Sequence, residues 1–249
     1  MTPMLHIFRK DATRLFPHAL LLWALIAEYG NLEFKAVAKG YFPAGHPSEV
    51  TGILDPVLSL ALPIACWSLV IAAIHQERLI GSNQYWLTRP FTWIDLMGAK
   101  GMFILASAHL PLFVAQASFI LAEGRSSPDY LPELLWNQVL LLLFCTAPAA
   151  AVAAVTKTLG QAILAAIAGV FLVVGISGWL YGFHAGNSPP DRTWVTVALI
   201  LAGAAAVLVL QYWRRETGLA RLILAATLIL APLTLVGADL PPVFSTKRN

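Results

Sequence analysis

His75-Gln76-Glu77-Arg78-Leu79-Ile80-Gly81-Ser82-Asn83-Gln84-Tyr85-Trp86-Leu87-Thr88-Arg89-Pro90-Phe91-Thr92-Trp93-Ile94-Asp95-Leu96-Met97-Gly98-Ala99-Lys100 is a polar island between two long apolar runs. Nearly everything around it reads as lipid-embedded helix. Hydrophobic residues make up 58% of the 249-residue chain and charged residues only 12%, against about 25% charged in a soluble domain. Mean hydropathy is +0.72. That deficit removes the polar surface a soluble fold needs, so the chain belongs to the integral membrane class. Within such a chain the island is the surface that something soluble can grip.

A membrane crossing takes about 20 mostly apolar residues. Seven segments are candidates, at roughly 15–34, 53–74, 101–122, 134–155, 160–182, 194–213 and 219–237. The first is the weakest, because its apolar core from Leu15 to Ala27 is short. The last is set off from the sixth by only a short polar link. The expected fold is all-α, a polytopic membrane helix bundle of six to seven transmembrane helices. Ahead of the first span, Leu5, Phe8, Ala12, Leu15 and Phe16 recur every three or four residues, with Arg9, Lys10 and Arg14 between them. This pattern predicts an amphipathic helix lying in the membrane interface. The alternative is that it forms the basic start of the first span. The expected organisation is an interfacial helix over 1–14, a transmembrane domain over 15–237 with the island at 75–100, and a tail over 238–249.

Loop charges set the orientation. With the N-terminus in the cytoplasm, the inner segments hold Arg9, Lys10, Arg14, Arg78, Arg89, Lys100, Lys157, Arg214, Arg215 and Arg221. The outer loops then hold Lys35, Lys39, Arg125 and Arg192, with Lys247 and Arg248 in the tail. That bias predicts a multi-pass protein of the cell membrane with a cytoplasmic N-terminus. It also explains the pI near 9.0, so no nucleic-acid partner is expected. No small-residue cleavage site follows the first apolar run, so the N-terminus does not read as a cleavable signal peptide. Cys66 and Cys145 both lie in apolar runs, without a CxxC partner or a nearby His at ligand spacing, and read as buried free thiols.

Inside the island, residues 75–87 mix charge with apolar positions, as a helical extension of the second span would, followed by a turn near Gly81-Ser82-Asn83. Pro90 pushes Arg89 toward extended geometry. Thr92 suits an N-cap, with Asp95 three residues on as the return arm of a capping box, so a helix is expected from Trp93 through Lys100 into the third span. Tyr85, Trp86 and Trp93 suit the headgroup level. On composition alone this is a re-entry loop with interfacial aromatics.

The run Glu77-Arg78-x-x-Gly81, then Trp86-Leu87-Thr88-Arg89-Pro90-Phe91-Thr92, then Leu96-Met97-Gly98-Ala99-Lys100 resembles the cytoplasmic loop of type-two ABC exporter permeases. The order of an amphipathic N-terminal helix, two spans, this loop and further spans is similar to that family over roughly residues 1–215. The motif itself covers 75–100. The resemblance implies a permease subunit of an ATP-driven exporter, in which this loop seats in a cleft of a separate ABC ATP-binding subunit. Carried over, Glu77, Arg78, Gly81, Trp86, Thr88, Arg89 and Pro90 form the contact surface. Two permeases, as a homo- or heterodimer in the lipid bilayer, would form the path at their interface. The chain departs from the family in its seventh span, since those permeases commonly have six with both ends cytoplasmic.

The chain has no Gly-x-x-x-x-Gly-Lys-Ser/Thr run, so it is not expected to hydrolyse ATP itself. HExxH and GxSxG are absent as well, and no enzyme, cofactor or metal is expected. A runner-up reading is a non-transporting membrane anchor, assembly or sensor module. Among ionisable residues in or near spans, His18 and Asp55 sit near span ends. His109 is deeper and is the candidate intramembrane polar site. Pro56, Pro63, Pro111 and Pro148 each free a backbone carbonyl within a span. The small-residue runs 147–154 and 202–206 predict close helix contacts.

Overall fold

A computed structural model describes residues 3–38, 51–76, 92–122, 127–183, 192–214 and 216–236. Regular structure in them is entirely helical, and no strand occurs among the described residues. Helix α1 is Pro3–Ala38 and α2 is Thr51–His75. Helix α3 joins Trp93–Ile104, a π-helical turn at Leu105–His109, and Leu110–Ala122. Helix α4 joins Ser127–Leu141, a second π turn at Leu142–Thr146, and Ala147–Val155. Helix α5 is Leu159–Phe183. Helix α6 joins Arg192–Val209 and a π turn at Leu210–Arg214, and α7 is Thr217–Val236.

Four of these runs are long and apolar enough to cross a membrane: Trp93–Leu121, Tyr130–Val155, Val195–Arg214 and Thr217–Thr234. The chain is a multi-pass membrane protein. Its outer surface agrees, because Leu60, Leu164, Phe171 and Leu222 are each at least 64% exposed. Such side chains are costly in water and at home in lipid. The segments expected separately at 1–14 and 15–34 are one uninterrupted helix, and Pro17 lies inside it without ending it.

The alanine-rich half of α4 is the centre of the bundle. Every residue from Ala149 to Val155 is buried. Helices α2, α5, α6 and α7 all pack on this half. Small side chains let four backbones approach one helix, which is how helices associate where lipid is as apolar as the protein. The expectation from the 147–154 run is met. The turn into α5 is capped locally: the Gln161 N–H donates to Thr158 Oγ1 at 3.3 Å, and Gln161 Oε1 accepts from the Lys157 N–H at 3.0 Å.

The 202–206 run does the same work between α6 and α7. A Cβ built on Gly203 would overlap the Oγ1, Cγ2 and Cβ of Thr227. Further along the same pair, the hydroxyls of Thr196 and Thr234 are 2.7 Å apart. Gly203→Ala is therefore expected to lower the thermal midpoint of the detergent-solubilised protein, at a cost of about 1–3 kcal/mol for overpacking. Adding Thr227→Ala in the same chain should restore most of the loss, and Ala205→Val, on an exposed position, should leave the midpoint unchanged.

Candidate functional site

Glu77, Arg78, Gly81, Trp86, Thr88, Arg89 and Pro90 lie in 77–91, outside the described residues. The two helix ends that flank this segment are described, and both are tied down. At the end of α2, His75 Nε2 lies 3.0 Å from the Ala153 carbonyl and 3.2 Å from Thr156 Oγ1. Gln76 Oε1 accepts a long bond, 3.5 Å, from Arg14 of α1. At the start of α3 the expected capping box is present. The Asp95 N–H donates to Thr92 Oγ1 at 3.1 Å, and the Thr92 N–H donates to Asp95 Oδ2 at 3.1 Å. A cap of this kind is worth about 1 kcal/mol.

The end of α4 is held from two sides. His75 takes the Ala153 carbonyl, and Arg221 of α7 donates to the Val155 carbonyl from Nε and Nη2 at 3.2 and 3.1 Å. Carbonyls of a last helical turn have no partner within their own helix and carry the negative end of its dipole, so a cationic side chain is a favourable cap. These contacts gather the start of α1, the end of α2, the start of α3, the end of α4 and the start of α7 at one end of the bundle. Tyr212, near the end of α6, joins Ile7, Leu96 and Ala99 in a buried cluster there.

A second polar feature at this end escapes sequence inspection. The buried face of α1 is Ile7, Asp11, Leu15, Ala19, Leu22 and Ile26, at spacings of three and four. A carboxylate thus stands in an otherwise apolar stripe. Its partner is Lys100, whose Nζ lies 2.6 Å from Asp11 Oδ2, with both side chains at most 4% exposed. The Lys10 ammonium is also near, 3.9 Å from Oδ1. Lys100, expected on the helix that leads into the third span, is thus part of a buried helix–helix ion pair. Of the stripe expected to be apolar, Leu5 and Phe16 are 44% and 52% exposed while Leu15 is buried, so α1 carries two apolar faces.

Breaking such a pair leaves one charge buried without its counter-ion, which costs on the order of 3–5 kcal/mol, whereas replacing both partners by apolar residues is often neutral. Lys100→Met and Asp11→Leu alone are expected to destabilise the protein strongly in thermal unfolding. The double variant Asp11→Leu/Lys100→Met should recover most of the loss; if the three variants lose equally, the pair is not what holds α1 to α3.

The third polar feature is built on the two π turns of α3 and α4. Each ends two residues before a proline: His109 precedes Leu110-Pro111, and Thr146 precedes Ala147-Pro148. Proline donates no N–H, and its ring crowds the carbonyl four residues back. A turn widened by one residue takes up that crowding, closed here by the Leu110 N–H on the Leu105 carbonyl and the Ala147 N–H on the Leu142 carbonyl. The carbonyl four residues before Pro111 is that of Ser107, and it accepts from the Trp23 indole of α1 at 2.8 Å. The backbone group freed by proline is satisfied by a neighbouring helix, as lipid requires.

The widened turns bring His109 and Thr146 together. His109 Nε2 lies 3.4 Å from Thr146 Oγ1, and its Nδ1 lies 3.2 Å from Gln138 Oε1. Gln138 Nε2 donates in turn to Gln116 Oε1 at 3.3 Å. An amide oxygen only accepts, so His109 Nδ1 carries the proton in this arrangement. The cluster borders a cavity of about 460 Å³ walled by Met102, Leu105, Leu110 and Phe113. The candidate His109 thus faces another helix and a cavity, with partners not singled out from the sequence. A signal for them exists: Gln116 follows His109 by seven residues and Thr146 follows Gln138 by eight, spacings that put each pair on one helical face. His18 is exposed on α1, and the Asp55 side chain lies outside the described residues.

Cys66 and Cys145 are free and buried in the core shared by α2 and α4, as expected. No group of three His, Cys, Asp or Glu side chains suited to a metal occurs among the described residues. Comparison of the chain with known protein families, curated proteins and solved structures finds no match.

Proposed function

We propose that this chain is the membrane-spanning permease subunit of an ATP-driven exporter, with 77–91 as the element that engages a separate ATP-binding subunit. The observation that carries the reading is the anchoring of both flanks of that segment. His75 and Gln76 on one side are tied to α4 and α1, and Thr92 to Lys100 on the other are capped by Asp95 and paired to Asp11. A segment whose two ends belong to packed helices can pass a push from a soluble partner into the bundle as a rigid-body movement. Glu77 and Arg78 supply charges that set register on that partner. ATP is bound and hydrolysed by the partner, and two permease copies or sister chains form the path between them.

All seven helices cross the bilayer in this reading. Helices α2 and α5, at 25 residues each, are about 37 Å long, enough for the roughly 30 Å hydrocarbon layer. The basic end, with Arg14, Lys157, Arg214 and Arg221, faces the cytoplasm. The start of α1, with Leu5 and Phe16 exposed beside Arg9, rests its second apolar face in the interfacial layer. In a background with Cys66 and Cys145 replaced by alanine, a cysteine at Lys157 should react with an impermeant maleimide only from the cytoplasmic side. One at Arg125 should react only from the other side; labelling of both from one side removes the proposed topology.

Co-purification with candidate ATP-binding subunits tests the function. An ATPase is expected with the wild-type chain and should be lost with Glu77→Ala/Arg78→Ala, while the variant keeps the wild-type thermal midpoint. Failure of any ATPase to associate under gentle detergent conditions would favour the membrane anchor, assembly or sensor reading.

A further inference from the structure

We propose that the cavity beside His109 and Gln138 is a binding site for an uncharged lipophilic molecule carrying a carbonyl or hydroxyl oxygen, entered sideways from the bilayer. The site lies deep. His109 is sixteen residues after Trp93 and thirteen before Ala122, about 24 Å and 20 Å from the two ends of α3. It opens outward, since Leu105 and Leu110 on its rim are each 57% exposed on the surface that lipid covers. It is an open groove of about 460 Å³ rather than an enclosed pocket, and its lining is almost wholly apolar.

The polar base has capacity to spare. A glutamine amide offers two N–H donors and two acceptor lone pairs. Gln138 uses one N–H on Gln116 and one lone pair on His109, and the second of each is left over by these contacts. A packing staple between α3 and α4 needs neither the remainder nor the cavity beside it. At this depth there is no bulk water to meet the remainder, so a ligand oxygen that accepts from the second N–H removes a desolvation penalty. The ligand is neutral because His109 is the only ionisable side chain among the described residues lining the cavity, and its Nδ1 proton is taken up by Gln138. A charged group would arrive without a counter-ion. The apolar walls take the rest of the molecule. The site requires these helices to be in lipid, but not the ATP-coupling reading, and its test uses no ATPase.

The test uses the full chain in phosphatidylcholine nanodiscs, photolabelled with an alkyl-benzophenone and read by peptide mass spectrometry. Two competitors of matched shape are compared, fluorenone with its carbonyl and fluorene with a methylene in that place. Labelling should concentrate in 102–113. Fluorenone should suppress it at about tenfold lower concentration than fluorene, the effect of one hydrogen bond of roughly 1.4 kcal/mol. In Gln138→Met the two competitors should become equal. Met102→Trp, which fills the cavity without touching the hydrogen-bonded cluster, should abolish labelling in that segment. Equal competition by the two compounds in the wild type overturns the proposal, as does labelling spread evenly over the lipid-facing helices. If Gln138→Met does not fold, Met102→Trp decides: retained labelling of 102–113 in that variant overturns the site.

Discussion

Ala149 to Val155 of α4 is the surface on which four helices of the bundle lean, α2, α5, α6 and α7. In lipid, burying a leucine against protein gains little over burying it against acyl chains. What remains is closeness of contact, and a helix with alanine on nearly every side offers more of it than one with long side chains. Helices α2, α5, α6 and α7 all take advantage of this single half-helix. Its last turn then presents carbonyls that need partners, and His75 and Arg221 provide them. The end of α2 and the start of α7 are thereby fixed to the same point, so the chain enters the 77–91 segment from a fixed place.

The demand that every backbone group be satisfied explains the irregular parts of the structure. Pro111 and Pro148 each remove a donor from a membrane helix, and each is preceded by a turn widened to the π form. Trp23 crosses from α1 to meet the Ser107 carbonyl. The widening has a consequence beyond relief of crowding. It rotates the following part of each helix relative to the preceding part, and the polar side chains at the two widened turns, His109 and Thr146, meet within 3.4 Å. A third π turn, at Leu210–Arg214, has no proline near it. There Gln211 is fully buried and donates from Nε2 to Thr217 Oγ1 at 3.3 Å, while its Oε1 has no partner among the described residues.

Asp11 and Lys100 show how charge is tolerated in such a molecule. The pair is dry, short and shared between α1 and α3, close to the helix end where Thr92 and Asp95 cap α3. It sets the register of α1 against α3 more narrowly than apolar contact would, because a shift by one residue would pull the Lys100 ammonium away from the Asp11 carboxylate that it meets at 2.6 Å. On the second apolar face of α1, Leu5 and Phe16 are left toward the surroundings, while Phe8 and Ala12 lie partly buried against the core.

Much of the architecture was legible in the chain itself. The run of apolar segments, the low charge and the proline and alanine positions determined an all-helical membrane protein, four of whose described helices are long and apolar enough to cross a membrane, and Thr92-x-x-Asp95 determined where α3 begins. The small-residue runs pointed to close contacts that the bundle contains. What the sequence did not reveal is which face of each helix meets protein. In water an apolar stripe marks the buried side, but in lipid both sides are apolar, so the stripe at Leu5, Phe8, Ala12, Leu15 and Phe16 does not show that Leu15 turns inward while Leu5 and Phe16 turn outward. The tertiary structure alone made that choice. By that choice it joined Asp11 to Lys100, 89 residues apart, and His109 to Gln138, 29 residues apart. Partners at such separations leave no periodic mark in a sequence, because only the packing of α1 on α3 and of α3 on the first half of α4 brings them within reach.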